Sequence, residues 1–212
     1  SSTQALKNGM TTTILFEQLK DIRNTVDIPL IIMGYFNPML QFGIENFLQK
    51  CQETGIDGLI IPDLPLEIYL LEYKELFENH GIAMIFLITP QTTEERIRLI
   101  DDNSNAFIYM VSSASVTGSR DSFDENQLAY FERIAAMNLK NPQIVGFGIS
   151  NKTTFEQLQL LIGPESDMNL KTALDSNLVS NHVVVTNKNI THKRIGDIPE
   201  FNQHDFTFTR LY

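Results

Sequence analysis

Residues able to do chemistry gather just after short apolar runs. Gly146-Phe147-Gly148-Ile149-Ser150 leads from the run Ile144 to Phe147 into a helix start. Glycines let backbone N–H groups approach an anion, and a helix N-terminus adds a favourable dipole, so the pattern fits a phosphate site. A plain tight turn uses the same residues. Ser112 to Ser119 (SSASVTGS) is a second loop rich in hydroxyls, with one glycine. Mobile lids and ordinary surface loops share that composition. Asp63 stands between Pro62 and Pro65. It fits a general base, and it equally fits a carboxylate that organises a turn. Tyr35 and Tyr109 suit a pocket for an aromatic substrate, and they also suit a core with satisfied hydroxyls. His182, His192 and His204 show no metal-ligand spacing such as HExxH and read as scattered surface residues.

The elements that must position these residues alternate along the chain. The apolar runs are Ile28 to Met33, Gly58 to Ile61, Ala83 to Ile88, Ala106 to Val111 and Ile144 to Phe147. Each is continuously apolar rather than alternating, as strands buried on both faces are. Amphipathic stretches separate them. Thr13 to Val26 places Leu15, Leu19, Ile22 and Val26 on one helical face, and Ile44 to Thr54 does so with Phe47, Leu48 and Cys51 before Gly55. Glu67 to Asn79 follows, with Leu70, Leu71, Lys74 and Phe77 on a face. Thr92-x-x-Glu95 reads as a capping box. Asn126 to Met137 and Thr153 to Ile162 complete the set. About five strand–helix units in ~150 residues mean α/β with a parallel sheet. A barrel and an open doubly wound sheet compete. A full barrel takes eight units and ~250 residues. No GxGxxG or Walker loop favours the nucleotide-binding open sheets.

Composition bounds the function. The 212 residues are 42% hydrophobic and 20% charged, which fits a globular chain. The net charge of −10 argues against nucleic acid as a general partner, because a phosphate backbone demands a basic face. No apolar run approaches the ~18 residues of a membrane span. The opening SSTQALKNGM lacks the features of a signal peptide. A chain that opens on serine reads as one that has lost something upstream. The single cysteine, Cys51, forms no internal disulfide and lies in an apolar stripe, so packing is its expected role and the reducing cytoplasm its expected compartment.

Taken together, MGYFNPML, GLIIPDLP, FLITPQTTEERI, IYMVSSASVTGSR and VGFGISN, in this order and at these intervals, resemble the tryptophan synthase alpha subunit family. The similarity runs from Ser1 to about Gln157. It implies an incomplete TIM (β/α)8 barrel holding strands three to seven, with residues 158–212 a divergent tail of unknown role. Within that tail only HVVVT (residues 182–186) reads as a strand, a candidate cover for an open sheet edge.

The resemblance also implies a lyase reaction, the retro-aldol cleavage of indole-3-glycerol phosphate into indole and glyceraldehyde 3-phosphate. Tyr35, Asp63 and Tyr109 would line the substrate pocket, with Asp63 near the indole tunnel. Thr117 and Gly118 would form the mobile loop, and Gly146, Phe147 and Gly148 the phosphate loop. Asn37 and Pro38 would face a beta subunit in an αββα heterotetramer. Pyridoxal phosphate would belong to that subunit, leaving this chain without a cofactor or metal. Ser113 stands where many members carry arginine. The family's catalytic glutamate and aspartate fall upstream of Ser1, and its eighth-strand phosphate segment has no counterpart here. The expectation is therefore negligible lyase activity from this chain, because proton transfer at indole C3 and at the glycerol hydroxyl needs a tuned carboxyl. A barrel remnant that only docks on a beta-type subunit is the alternative. A different phosphosugar-binding barrel that reuses the same glycine loop is a third reading, disfavoured by the motif set.

Overall fold

The computed structural model describes residues 7–27, 29–111, 123–146 and 210–211. The chain divides into two compact units, Ser1–Phe86 with Thr207–Tyr212, and Leu87–Phe206.

The first unit begins with α1 (Thr12–Leu19), capped by the Thr11 hydroxyl, which accepts from the Ile14 N–H at 3.2 Å. A short 3₁₀ turn (Ile22–Asn24) leads to β1 (Ile31–Gly34). Next come α2 (Phe36–Phe42), α3 (Ile44–Thr54), β2 (Gly58–Ile60), α4 (Leu66–Ile68), a π-helical turn (Tyr69–Tyr73), α5 (Lys74–Asn79) and β3 (Ala83–Ile85). The second unit holds β4 (Leu87–Ile88), α6 (Glu94–Asn103), β5 (Ile108–Val111), α7 (Glu125–Ala136) and β6 (Gln143–Gly146). A last strand, β7 (Arg210–Leu211), belongs to the first unit. The strand order is β3-β2-β1-β7 in one sheet and β4-β5-β6 in the other, and every pairing is parallel. Five apolar runs thus do form parallel strands joined by helices, as expected.

Each unit has its own core. In the first, Leu15, Phe16, Phe47, Leu48 and Cys51 are buried between α1 and α3, with the Phe16 and Phe47 rings edge to face at 5.1 Å. Arg23 ties together the chain entries to β1 and β2. It donates to the carbonyl of Gly55 and pairs with Asp57, whose carboxylate also accepts from Leu30 N–H at 2.7 Å. Gly55 ends α3 at φ +73, and a Cβ there would lie 2.7 Å from the Arg23 side chain, so both conformation and space demand glycine. In the second unit Ile88, Ile97, Ile108 and Val145 are fully enclosed. Asp101, near the end of α6, is buried and accepts from the backbone N–H groups of Lys140 and Asn141 at 2.9 Å each. It thereby fixes the entry to β6.

Four local expectations change. The stretch 13–26 is not one helix; α1 stops at Leu19, and Phe16 rather than Ile22 joins Leu15 in the core. The run 83–88 is two strands, because Ala83–Ile85 pairs with β2 and Leu87–Ile88 with β5. Thr93, not Thr92, caps α6; the Thr92 hydroxyl instead accepts from Thr89 N–H at 2.9 Å. The paired capping box lies at Asp124 and Gln127. Residues 67–79 are interrupted by the π turn, whose extra residue rotates the helix face. Tyr69 therefore packs edge-on to Phe77 and Phe86, and Leu71, expected inside, is 79% exposed. The helix expected over 153–162 and the strand over 182–186 lie outside the described residues. The strand found beside β1 is Arg210–Leu211.

Removing the Asp101 carboxylate leaves two part-buried backbone donors without their acceptor. Asp101→Ala is expected to lower stability by about 3 kcal/mol in urea unfolding, and Asp101→Asn, which keeps an acceptor, by clearly less.

Candidate functional site

Parallel pairing decides what can meet in the first unit. β1 and β2 run in register, Ile31 opposite Gly58 and Met33 opposite Ile60. The residues that follow each strand therefore emerge at the same end of the sheet. After β1 comes Tyr35, extended at φ −93, and then α2. After β2 comes the turn Ile61-Pro62-Asp63-Leu64, closed by Leu64 N–H donating to the Ile61 carbonyl at 3.2 Å. Pro65 then starts α4, where a fixed φ and a missing N–H are tolerated. The same tolerance admits Pro38 in the first turn of α2, a helix that the proline-bearing sequence GYFNP does not advertise.

The two turns are joined by one hydrogen bond. Phe36 N–H donates to Asp63 Oδ1 at 2.9 Å. Asp63 thus caps the start of α2 from a neighbouring loop, which is the turn-organising role weighed for it in the sequence. A carboxylate also suits the positive end of a helix.

Beside this bond lies an open groove of about 680 Å³. Tyr35, Asn37, Pro38, Gln41 and Phe42 line one part of it, and Thr11, Thr12 and Thr13 another, with Asp63 completing the lining. Tyr35 is 50% exposed. Among the described residues the groove offers hydroxyls, amides, two aromatic rings and one carboxylate, with no Lys, Arg or His in its lining. The threonines and Gln41 were not singled out from sequence, although Thr11 carries the hydroxyl-before-helix signal that could have drawn attention.

The other expected site residues fall in the second unit or outside the described residues. Tyr109 is 5% exposed on β5, opposite Leu87 of β4 and Ile144 of β6. Gly146 ends β6 opposite Val111. Arg133 of α7 holds the loop after β4 through the carbonyls of Pro90 and Thr92, at 3.0 and 3.2 Å. Thr117, Gly118, Phe147, Gly148, Ser113 and the three tail histidines His182, His192 and His204 lie outside the described residues. Among the described residues no cluster of three His, Cys, Asp or Glu side chains could hold a metal, and no helix is long and apolar enough to cross a membrane. Cys51 is fully buried in the core of the first unit, and burial pushes its thiol up to about 12.

Parallel strands joined by helices define an α/β protein. The tryptophan synthase alpha chain family model matches residues 1–164. The chain belongs to that family, whose fold is the TIM barrel. It is 73% identical over 157 residues to the tryptophan synthase alpha chain of Flavobacterium psychrophilum, covering 74% of this chain and 62% of that one. The alpha chain of Phocaeicola vulgatus is 58% identical over 156 residues, covering 74% and 60%. Among solved structures, the tryptophan synthase α2β2 complex of Pyrococcus furiosus matches at 33% identity and a TM-score of 0.66, covering 75% of this chain and 62% of that one. The alpha chain of Legionella pneumophila matches at 31% and 0.61, covering 70% and 54%. The chain therefore spans about 60% of the length of the curated relatives it matches.

Two outcomes check this geometry. Asp63→Ala is expected to cost about 1 kcal/mol in urea unfolding, as loss of a helix cap does, and to speed amide exchange at Phe36; Asp63→Asn should retain most of both. Cys51 is expected to resist a thiol-reactive dye at pH 8 in the folded chain and to react at once in denaturant.

Proposed function

We propose that this chain is the strand-three-to-seven portion, residues 1–157, of a tryptophan synthase alpha-type barrel. The corresponding whole protein would be a cytoplasmic lyase of tryptophan biosynthesis that cleaves indole-3-glycerol phosphate into indole and glyceraldehyde 3-phosphate. Residues 158–212 are a separate tail in this reading. The family match across residues 1–164 is the observation that carries it.

By resemblance, Tyr35 and Tyr109 would each be a substrate-lining tyrosine. Gly146, Phe147 and Gly148 offer backbone N–H groups to the phosphate, a task for which the cation-free groove of the first unit is unsuited. Thr117 and Gly118 belong to a loop that closes over the substrate. Cleavage requires a proton delivered to indole C3 and one removed from the glycerol hydroxyl. Asp63 is the nearest carboxylate among the proposed residues, but its Oδ1 already accepts the Phe36 N–H. Its role in this reading is to hold Tyr35 and Asn37 in place rather than to move a proton. The carboxylate pair that would do so falls before Ser1 by resemblance, so the 212-residue chain alone does not turn over.

The groove supports a second part of the reading. Its polar, uncharged lining around Asn37 and Pro38 suits a protein surface, and we assign it to a beta-type subunit that would carry pyridoxal phosphate itself. A related α2β2 complex is known from Pyrococcus furiosus. Docking without catalysis is the form this function takes for the chain by itself.

Two measurements on the purified chain test the proposal. Indole release from indole-3-glycerol phosphate is expected to stay at the background of a host lacking its own enzyme. Release that disappears in Gly148→Asp would mean that carboxylates of this chain replace the missing pair. A beta subunit from Flavobacterium psychrophilum should co-elute with the chain, and Asn37→Arg should weaken that association at least tenfold. Failure to co-elute would sink the docking assignment.

A further inference from the structure

The pair Asn8-Gly9 stands outside both sheets and outside the lining of the groove. Asn8 is the only asparagine followed by glycine in the chain. An asparagine side chain ends in an amide carbon, which the backbone nitrogen of the next residue can attack to close a cyclic imide. Two things ordinarily prevent this. A Cβ on the next residue crowds its nitrogen, and regular secondary structure holds that nitrogen out of reach. Glycine has no Cβ and the widest choice of backbone conformations. Gly9 uses that freedom, at φ +81, in the turn that follows Lys7. The other described asparagines each lack a requirement. Asn37 and Asn141 precede prolines, which have no N–H to give up. Asn46, Asn79, Asn103 and Asn126 lie in helices, where φ and ψ are fixed. Asn103 is held further by its side-chain N–H, which donates to the Leu99 carbonyl at 2.9 Å. Asn24, Asn105 and Asn138 precede residues that carry a Cβ. The requirement is local to two adjacent residues and the backbone between them.

We propose that Asn8 is a site of spontaneous covalent modification, converting through a cyclic imide shared with Gly9 to aspartate and isoaspartate. The Gly9 nitrogen gives its proton to solvent and bonds to the side-chain amide carbon of Asn8. The side-chain nitrogen takes up a proton and leaves as ammonia. Water then adds to either carbonyl of the ring and breaks the C–N bond there. Opening at the side-chain carbonyl leaves aspartate in an ordinary peptide chain. Opening at the main-chain carbonyl leaves isoaspartate, with the chain running through the former side chain. One water is consumed, one ammonia is released, and nothing is oxidised or reduced. Either product adds a negative charge three residues before Thr11, whose hydroxyl caps α1. Isoaspartate also lengthens the main chain there by one methylene.

The test follows the full chain, Asn8→Gln and Gly9→Ala through prolonged incubation at pH 8. Peptide mass spectrometry reads the amide-to-acid change at each asparagine. Isoaspartate is read separately, by methyl transfer from a labelled donor with an isoaspartyl methyltransferase. In the full chain the peptide carrying Asn8 should convert at least tenfold faster than those carrying the other described asparagines. It should also accept label, and its conversion should slow as the pH is lowered to neutrality, because the attacking nitrogen must lose a proton. Asn8→Gln should remove the label from that peptide, and Gly9→Ala should slow conversion there at least tenfold. An alanine at φ +81 is strained and can loosen the fold, so the full chain and Gly9→Ala are also compared in denaturant, where the same tenfold difference should remain. Conversion at Asn8 no faster than at the other asparagines would overturn the proposal. So would conversion in denaturant only, because the folded turn would then protect the pair. Acid formed at Asn8 without label would defeat the imide route, as would equal rates for Gly9→Ala and the full chain in denaturant.

Discussion

The in-register parallel pairing of β1 with β2 is the constraint on which the first unit depends. Parallel neighbours cannot be joined by a tight turn, so the chain must cross back, here through α2 and α3. Every crossover returns the chain to the same starting end. Residues that follow the strands consequently collect at the opposite end, and Tyr35 and Asp63 become neighbours 28 positions apart in sequence, with Phe36 N–H and Asp63 Oδ1 in direct contact. The groove is a by-product of that collection. Its lining comes from the start of α1, from α2 and from the β2 turn because all three open at that end.

Polar side chains rather than apolar area set the strand entries. Arg23 and Asp57 occupy backbone groups of Gly55 and Leu30 on the way into β1 and β2. Asp101 does the same on the way into β6. Burying such donors unsatisfied is costly, so each carboxylate or guanidinium holds its segment to one path. The two units use the same device without sharing residues. A parallel sheet needs it, because its strand ends lack the local turn hydrogen bonds of a hairpin.

Among the described residues the lining of the groove in the first unit holds a carboxylate and no cation, and β6 of the second unit ends at Gly146. Asp63, which its place in the chain suggests either as a base or as a turn organiser, has Oδ1 accepting the Phe36 N–H.

The sequence by itself determined the parallel α/β class, the five apolar runs, the α3 helix with its Gly55 stop, and the burial of Cys51. All of these follow from local periodicity and from single residues with narrow conformational range. The ordered motifs also disclosed the family. Tertiary structure decided the rest. The run from Ala83 to Ile88 is uniformly apolar, and only its change of neighbour at Phe86 divides it. The π turn at Tyr69–Tyr73 leaves no composition signal, because its driving contacts are with Phe77 and with the distant Phe86. Thr92 and Thr93 are equivalent as caps until Thr89 engages the first. The Phe36 N–H likewise reaches Asp63 only through the register of β1 and β2. In each case the deciding partner lies across a strand pair or a turn of helix, where the spacing of residue types carries no information.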